Sequence, residues 1–105
     1  MAQTFVEKVT ATREGKRLYE QERAILEVTE LICKLMERQN VSKSELARRL
    51  GKSKAYVTQL LDGRANMTLR TISDVLFALD SSLRVQEESL SPVAVERNPR
   101  AVAER

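Results

Sequence analysis

The chain has 105 residues, of which 42% are hydrophobic and 31% charged, with a formal net charge of +3. That length suits one compact domain with a core of Leu, Ile, Val and Ala, there being only two Tyr, two Phe and no Trp. One cysteine and no histidine exclude an intrachain disulfide, a Cys/His zinc site and a Ser-His or Cys-His nucleophile pair, so no cofactor, metal or enzymatic activity is expected. No apolar run approaches the ~18 residues of a membrane span, and charge interrupts the N-terminal apolar residues, which predicts a cytoplasmic protein.

Taken in order, residues 1–15 carry a short amphipathic signal at Phe5, Val6 and Val9, bounded by Thr12 and Gly15, and read as an arm or a helical turn. Residues 16–39 are rich in Glu, Arg, Leu and Lys, free of proline and strongly helical in pattern. Ile25, Val28, Leu31, Ile32, Leu35 and Met36 form one broad apolar face, assigned to the core. A second stripe, Tyr19, Leu26 and Cys33, repeats every seven residues away from that face and needs a cover. Three covers fit: the N-terminal segment through Phe5 and Val9, a second subunit, or another protein such as a toxin. Cys33 reads as a small apolar contact residue.

Ser42 followed by Glu45 is a capping box that starts a helix near Lys43, with Val41 placed as half of a hydrophobic staple to Leu46. Leu46, Ala47 and Leu50 share one face, and Gly51 stops the helix in a left-handed conformation. Ser53 caps the next helix, Val57, Leu60 and Leu61 face inward, and Gly63 ends it. Two short helices crossing at roughly 90–120° need a small residue where they touch, and Ala47 is placed there. By spacing alone, the competing reading is a helical hairpin in some other all-α domain. Residues 64–67 form a loop, and Thr68 caps a fourth helix reaching about Leu79, with Leu69, Ile72, Val75, Leu76 and Leu79 inward and Phe77 off that stripe. Residues 80–82 break the helix, and 83–86 alternate as a short strand would, requiring a partner edge. From 87 to 105, two prolines and weak periodicity predict a flexible tail.

Charge is unevenly placed. Residues 43–64 hold six basic and two acidic side chains, whereas the flanking segments are balanced or slightly acidic. A positive excess confined to two short helices and their turn points to a phosphate backbone as partner.

Residues 41–79 resemble the Cro/cI-type (Xre family) helix-turn-helix regulators: a cap, a hydrophobic-alanine pair, a turn glycine, a recognition helix, a second glycine, then a helix opening with threonine and leucine. Tyr19 and the charged helix ahead of the motif also resemble the subgroup with an N-terminal extension, some of whose members are similar to HigA-type antitoxins. Two departures stand out: Leu61-Asp62 replaces the family's usual glutamate before the second glycine, and a fifth helix has no counterpart. The resemblance implies an all-α, lambda-repressor-like fold with an N-terminal helical extension, to which the alternation at 83–86 adds the expectation of a short C-terminal strand. On that basis residues 1–22 are the arm and the start of the long first helix, 23–86 the helix-turn-helix domain, and 87–105 the tail.

Side chains that point away from Val57, Leu60 and Leu61 can read base edges. Ala55, Thr58 and Gln59 meet that test, Lys54 joins them in the first turn, and all four match the family's base-contacting positions. Lys43, Lys52, Ser53, Tyr56 and Arg64 lie at the motif's edges and are expected on phosphates, while Arg48 and Arg49 read as a solvated face. The expected partner is double-stranded DNA with a palindromic operator, bound by a homodimer. Its interface is assigned to Phe77, Leu83 and Val85, with Tyr19, Leu26 and Cys33 as a dimer or partner face. The function that follows is a sequence-specific regulator, expected to be a repressor. The alternative is an antitoxin that neutralises a partner toxin and autoregulates its operon.

Overall fold

The structure, a computed structural model, describes residues 11–90. Among them are four helices and no strand: α1 (Arg13–Gln39), α2 (Lys43–Leu50), α3 (Lys54–Leu61) and α4 (Leu69–Ala78). Each helix starts on a hydroxyl: Thr12, Ser42, Ser53 and Thr68 accept the backbone N–H of Gly15, Glu45, Tyr56 and Thr71 respectively, satisfying donors the helix itself leaves open. Each is followed by a left-handed residue: Asn40 at φ 62°, Gly51 at 69°, Gly63 at 79° and Asp80 at 58°. That conformation turns the next two N–H groups back onto open carbonyls, as when Lys52 donates to Ala47 at 2.9 Å and Ser81 to Leu76 at 2.7 Å.

α1 begins one turn earlier than the sequence pattern suggests. Gly15, expected to bound the arm, lies inside the first turn with its N–H 2.9 Å from the Thr12 hydroxyl, so the cap outweighs glycine's low helix propensity. The expectations for Phe5, Val6, Val9 and the tail beyond residue 90 lie outside the described residues.

Ile32 from α1, Leu46 from α2, Val57 and Leu60 from α3, and Val75, Leu76 and Leu79 from the last helix and its end form a fully buried centre. α2 packs against both α3 and α4, and α1 packs on α3. Leu35, Met36, Val41 and Ala47 complete the cluster. The one buried polar residue among those described is Thr29, whose hydroxyl donates to the Leu26 carbonyl at 3.0 Å.

Three residues assigned to the core are not in it: Ile25, Leu31 and Leu69 are 37%, 43% and 69% exposed. At 27 residues, or ~40 Å, α1 overshoots a body made of helices of eight to ten residues, so at Ile25 its apolar face runs past the surface available to cover it, whereas Leu31, flanked along the helix by buried Thr29 and Ile32, lies about 100° around from Ile32 and off the buried side. Burial along α4 grows toward its C-terminal end, from half-buried Ile72 to buried Leu79, and Leu69 in the first turn precedes that contact. The strand expected at 83–86 does not form, because no other strand among the described residues offers an edge. Its alternation survives in another form: Leu83 packs on the core while Val85 points outward, 80% exposed.

Two long-range hydrogen bonds hold the end of α4. Gln39 Nε2 donates to the Leu79 carbonyl at 2.7 Å, and Arg49 Nη1 to the Ala78 carbonyl at 2.8 Å. Arg49 is therefore a structural tie between α2 and α4 rather than part of a solvated face.

Leu60 is 1% exposed on α3, the helix that packs against both α1 and α2. Leu60→Ala is expected to destabilise the domain by roughly 2–5 kcal/mol through lost burial and a residual cavity. Chemical denaturation would measure it, and an unchanged midpoint would show that Leu60 does not lie on the buried side of α3.

Candidate nucleic-acid interface

The site is the pair α2 and α3 with the three residues between them, Gly51, Lys52 and Ser53. At Gly51 an added Cβ would meet nothing within 4 Å, so the φ of 69° and not crowding is what favours glycine. Ala47, 4% exposed, lies on the buried face of α2 as expected for a close helix crossing. Val57 and Leu60 fix the rotation of α3 by their burial, and that rotation decides which side chains face water.

Lys54, Ala55 and Gln59 are exposed, Thr58 is half-buried, and Leu61 packs on the core's edge. The four residues expected at base edges thus share the accessible part of α3. Lys43 and Lys52 are exposed and enter no ion pair among the described residues. Lys52 Nζ lies 5.3 Å from the centroid of the Tyr56 ring, so the aromatic face steadies the ammonium beside the turn. Ser53 accepts the Tyr56 N–H at 3.0 Å, and its own O–H remains a donor suited to a phosphate oxygen. Lys52 and Tyr56 also line a groove of about 610 Å³ that runs to Thr71, Asp74 and Phe77.

The arginines differ from the lysines. Glu45 takes Arg48 through Nε at 3.0 Å and through Nη2, and Arg49 through Nε at 3.0 Å. These hydrogen bonds, Arg48's first and Arg49's second, hold the Glu45 carboxyl well below its ordinary range, at about 2. Arg64 lies beyond the second glycine as expected, but its guanidinium is paired with Asp62 at 2.7 Å. That pairing lowers the Asp62 pKa and raises that of Arg64. Nothing in the residue pattern had marked Asp62 as functional. The available signal was an Asp-Gly-Arg turn, in which an aspartate can accept from the N–H two residues on.

Of the remaining expected residues, Tyr19 is half-buried, and Leu26 and Cys33 are exposed on α1, lining a groove with Val41 and Leu61. Phe77 and Val85 are each 80% exposed, while Leu83 rests on the core. No helix among the described residues is long and apolar enough to cross a membrane.

The family model for helix-turn-helix proteins matches residues 34–86, half of the chain, from the last turns of α1 through the segment after α4. The chain belongs to the Cro/cI-type helix-turn-helix family. It is accordingly a DNA-binding regulator with the all-α, lambda-repressor-like fold of that family. No curated protein and no solved structure matches the chain.

Glu45 links the α2 start to both arginines, and its depressed pKa makes a pH prediction. The pair stabilises the fold above the ordinary carboxyl value of 4.5, and its contribution fades as pH falls toward about 2, where Glu45 protonates. Melting temperatures of the wild type and Glu45→Gln should therefore converge over that window. A gap that stays constant from neutral pH to pH ~2 would show that these contacts add no pH-dependent stability.

Proposed function

We propose that the protein is a sequence-specific repressor that binds a palindromic operator as a homodimer, with α3 in the major groove. The observation that carries this reading is the solvent-facing surface of α3, where Lys54, Ala55, Thr58 and Gln59 lie together above a helix anchored by Val57 and Leu60. In chemical terms Gln59 can bridge adenine N6 and N7, Lys54 can donate to guanine O6 and N7, and Ala55 or Thr58 can touch a thymine methyl. Lys43, Lys52, Ser53 and Tyr56 would orient the duplex through its phosphates.

One motif reaches few bases, so useful specificity calls for two, related by a twofold axis and roughly 34 Å apart. Phe77 favours the dimer: it is 80% exposed, and it shares a groove with Lys52 and Tyr56, next to the proposed phosphate contacts. Val85 adds a second outward apolar residue after α4.

A toxin-neutralising role is a second reading. Leu26, 56% exposed, and Cys33 line a groove of about 640 Å³ with Val41, Lys43 and Leu61. Lys43 also lines this groove, so a protein partner docking there would compete with DNA at that phosphate contact while leaving Lys54, Ala55, Thr58 and Gln59 outside it.

Selection of bound duplexes from a random pool supplies the operator and tests symmetry and spacing. On that operator Gln59→Ala should lose roughly 1–3 kcal/mol and relax one base pair per half-site, with binding to scrambled DNA nearly unchanged. Lys52→Ala should weaken both duplexes and reduce the slope of log affinity against log salt by about one per protomer. Equal loss on both duplexes for Gln59→Ala would remove α3 from the base edges.

The two apolar faces should separate by mutation. Phe77→Glu with Val85→Glu is expected to lower both the solution mass and operator affinity. Leu26→Asp should leave both intact and abolish neutralisation of a toxin encoded beside the gene. A double variant that keeps dimer mass and operator affinity would place the interface elsewhere.

A further inference from the structure

Of the residues expected on phosphate, Arg64 is the one held in an ion pair among the described residues. Asp62 Oδ2 receives Arg64 Nε at 2.7 Å and Nη2 at 2.7 Å, and Asp62 Oδ1 accepts the Arg64 backbone N–H at 3.0 Å. The carboxylate therefore occupies the same side-on edge of the guanidinium that a phosphate takes in a bidentate contact. Both groups sit at the exposed C-terminal end of α3, and Gly63 between them, at φ 79°, turns the chain so that the two side chains meet. Lys43, Lys52 and Lys54 have no such competitor among the described residues.

We propose that Asp62 is a positioning residue that withholds Arg64 from DNA lacking the operator, so that Arg64 reaches phosphate only in the docked, site-specific complex. The inference rests on the DNA-binding reading above. Nonspecific attraction comes from loosely held cations that displace condensed counterions, and a guanidinium neutralised by Asp62 contributes little to that release. In the docked complex a phosphate held in register by the other contacts can displace the carboxylate from the guanidinium edge. Asp62 thereby raises the ratio of specific to nonspecific affinity at the expense of overall affinity.

Asp62→Asn is a clean test, since the amide oxygen can still accept the Arg64 N–H and preserve the turn while the charge is removed. The probes are the operator selected from a random pool and a scrambled duplex of the same composition, titrated at several salt concentrations. Asp62→Asn should raise affinity for the scrambled duplex several-fold, raise operator affinity less, and steepen the scrambled-duplex salt slope by about one per protomer. In an Arg64→Gln background the same substitution should have little effect, because its action passes through Arg64. Arg64→Gln alone should lower operator affinity and leave the scrambled-duplex slope unchanged. The proposal is overturned if Asp62→Asn leaves scrambled affinity and slope as they are, or if its gain is as large without Arg64, which would make Asp62 a bare repulsive charge. Should Asp62→Asn fold poorly, Arg64→Gln decides alone: a loss of about one in the scrambled-duplex slope per protomer means that Arg64 already engages nonspecific DNA. A wild-type protein that bound neither duplex would instead sink the DNA-binding reading itself.

Discussion

Two helices of eight residues cannot persist on their own in water, because nucleation costs more than so few hydrogen bonds return. Everything the motif does depends on the burial of Leu46, Val57 and Leu60 against Ile32, Leu76 and Leu79. That packing fixes the rotation of α3, and rotation alone determines that Gln59 faces water while Leu60 does not. The caps perform a complementary task. Ser42 and Ser53 fix where the helices start, Gly51 and Gly63 fix where they stop, and the three residues between α2 and α3 hold the crossing. Arg49 and Gln39 then close the body by tying α2 and the end of α1 to the last carbonyls of α4.

The parts legible in the sequence are those decided locally. Ser42, Ser53 and Thr68 could be named as caps because a hydroxyl before a helix acts on an amide three residues away, and Gly51 and Gly63 because left-handed backbone favours glycine. Periodicity gave the buried sides of α2 and α3 correctly. It misjudged Ile25 and Leu69 because a stripe shows which way a helix faces and not how far its neighbour extends, and Leu31 because the apolar stripe is wider than the side that is buried. The left-handed ends at Asn40 and Asp80 carry no glycine to announce them, and Gly15 misled because a good cap overrides a poor helix former. Arg49 bonds to a carbonyl 29 residues away, which no local pattern encodes. The alternation at 83–86 marked one side as apolar, and the structure satisfies it by packing Leu83 rather than by pairing a strand.

The positive excess of residues 43–64 is divided between two kinds of side chain. Its three arginines are engaged by the segment's only two carboxylates, Glu45 and Asp62, whereas Lys43, Lys52 and Lys54 enter no ion pair among the described residues. The division matters because a lysine is a compact, mobile point charge and an arginine a rigid fork. On the proposed reading, the lysines supply attraction that tolerates many phosphate positions and acts at a distance limited by salt. Geometric selection cannot come from them. It falls to side chains whose placement the core dictates, the Thr58 and Gln59 face of α3, and to Arg64, whose fork must exchange one anion for another before it touches the duplex. A regulator arranged this way can approach DNA of any sequence through its lysines while keeping its directional contacts for the site that fits.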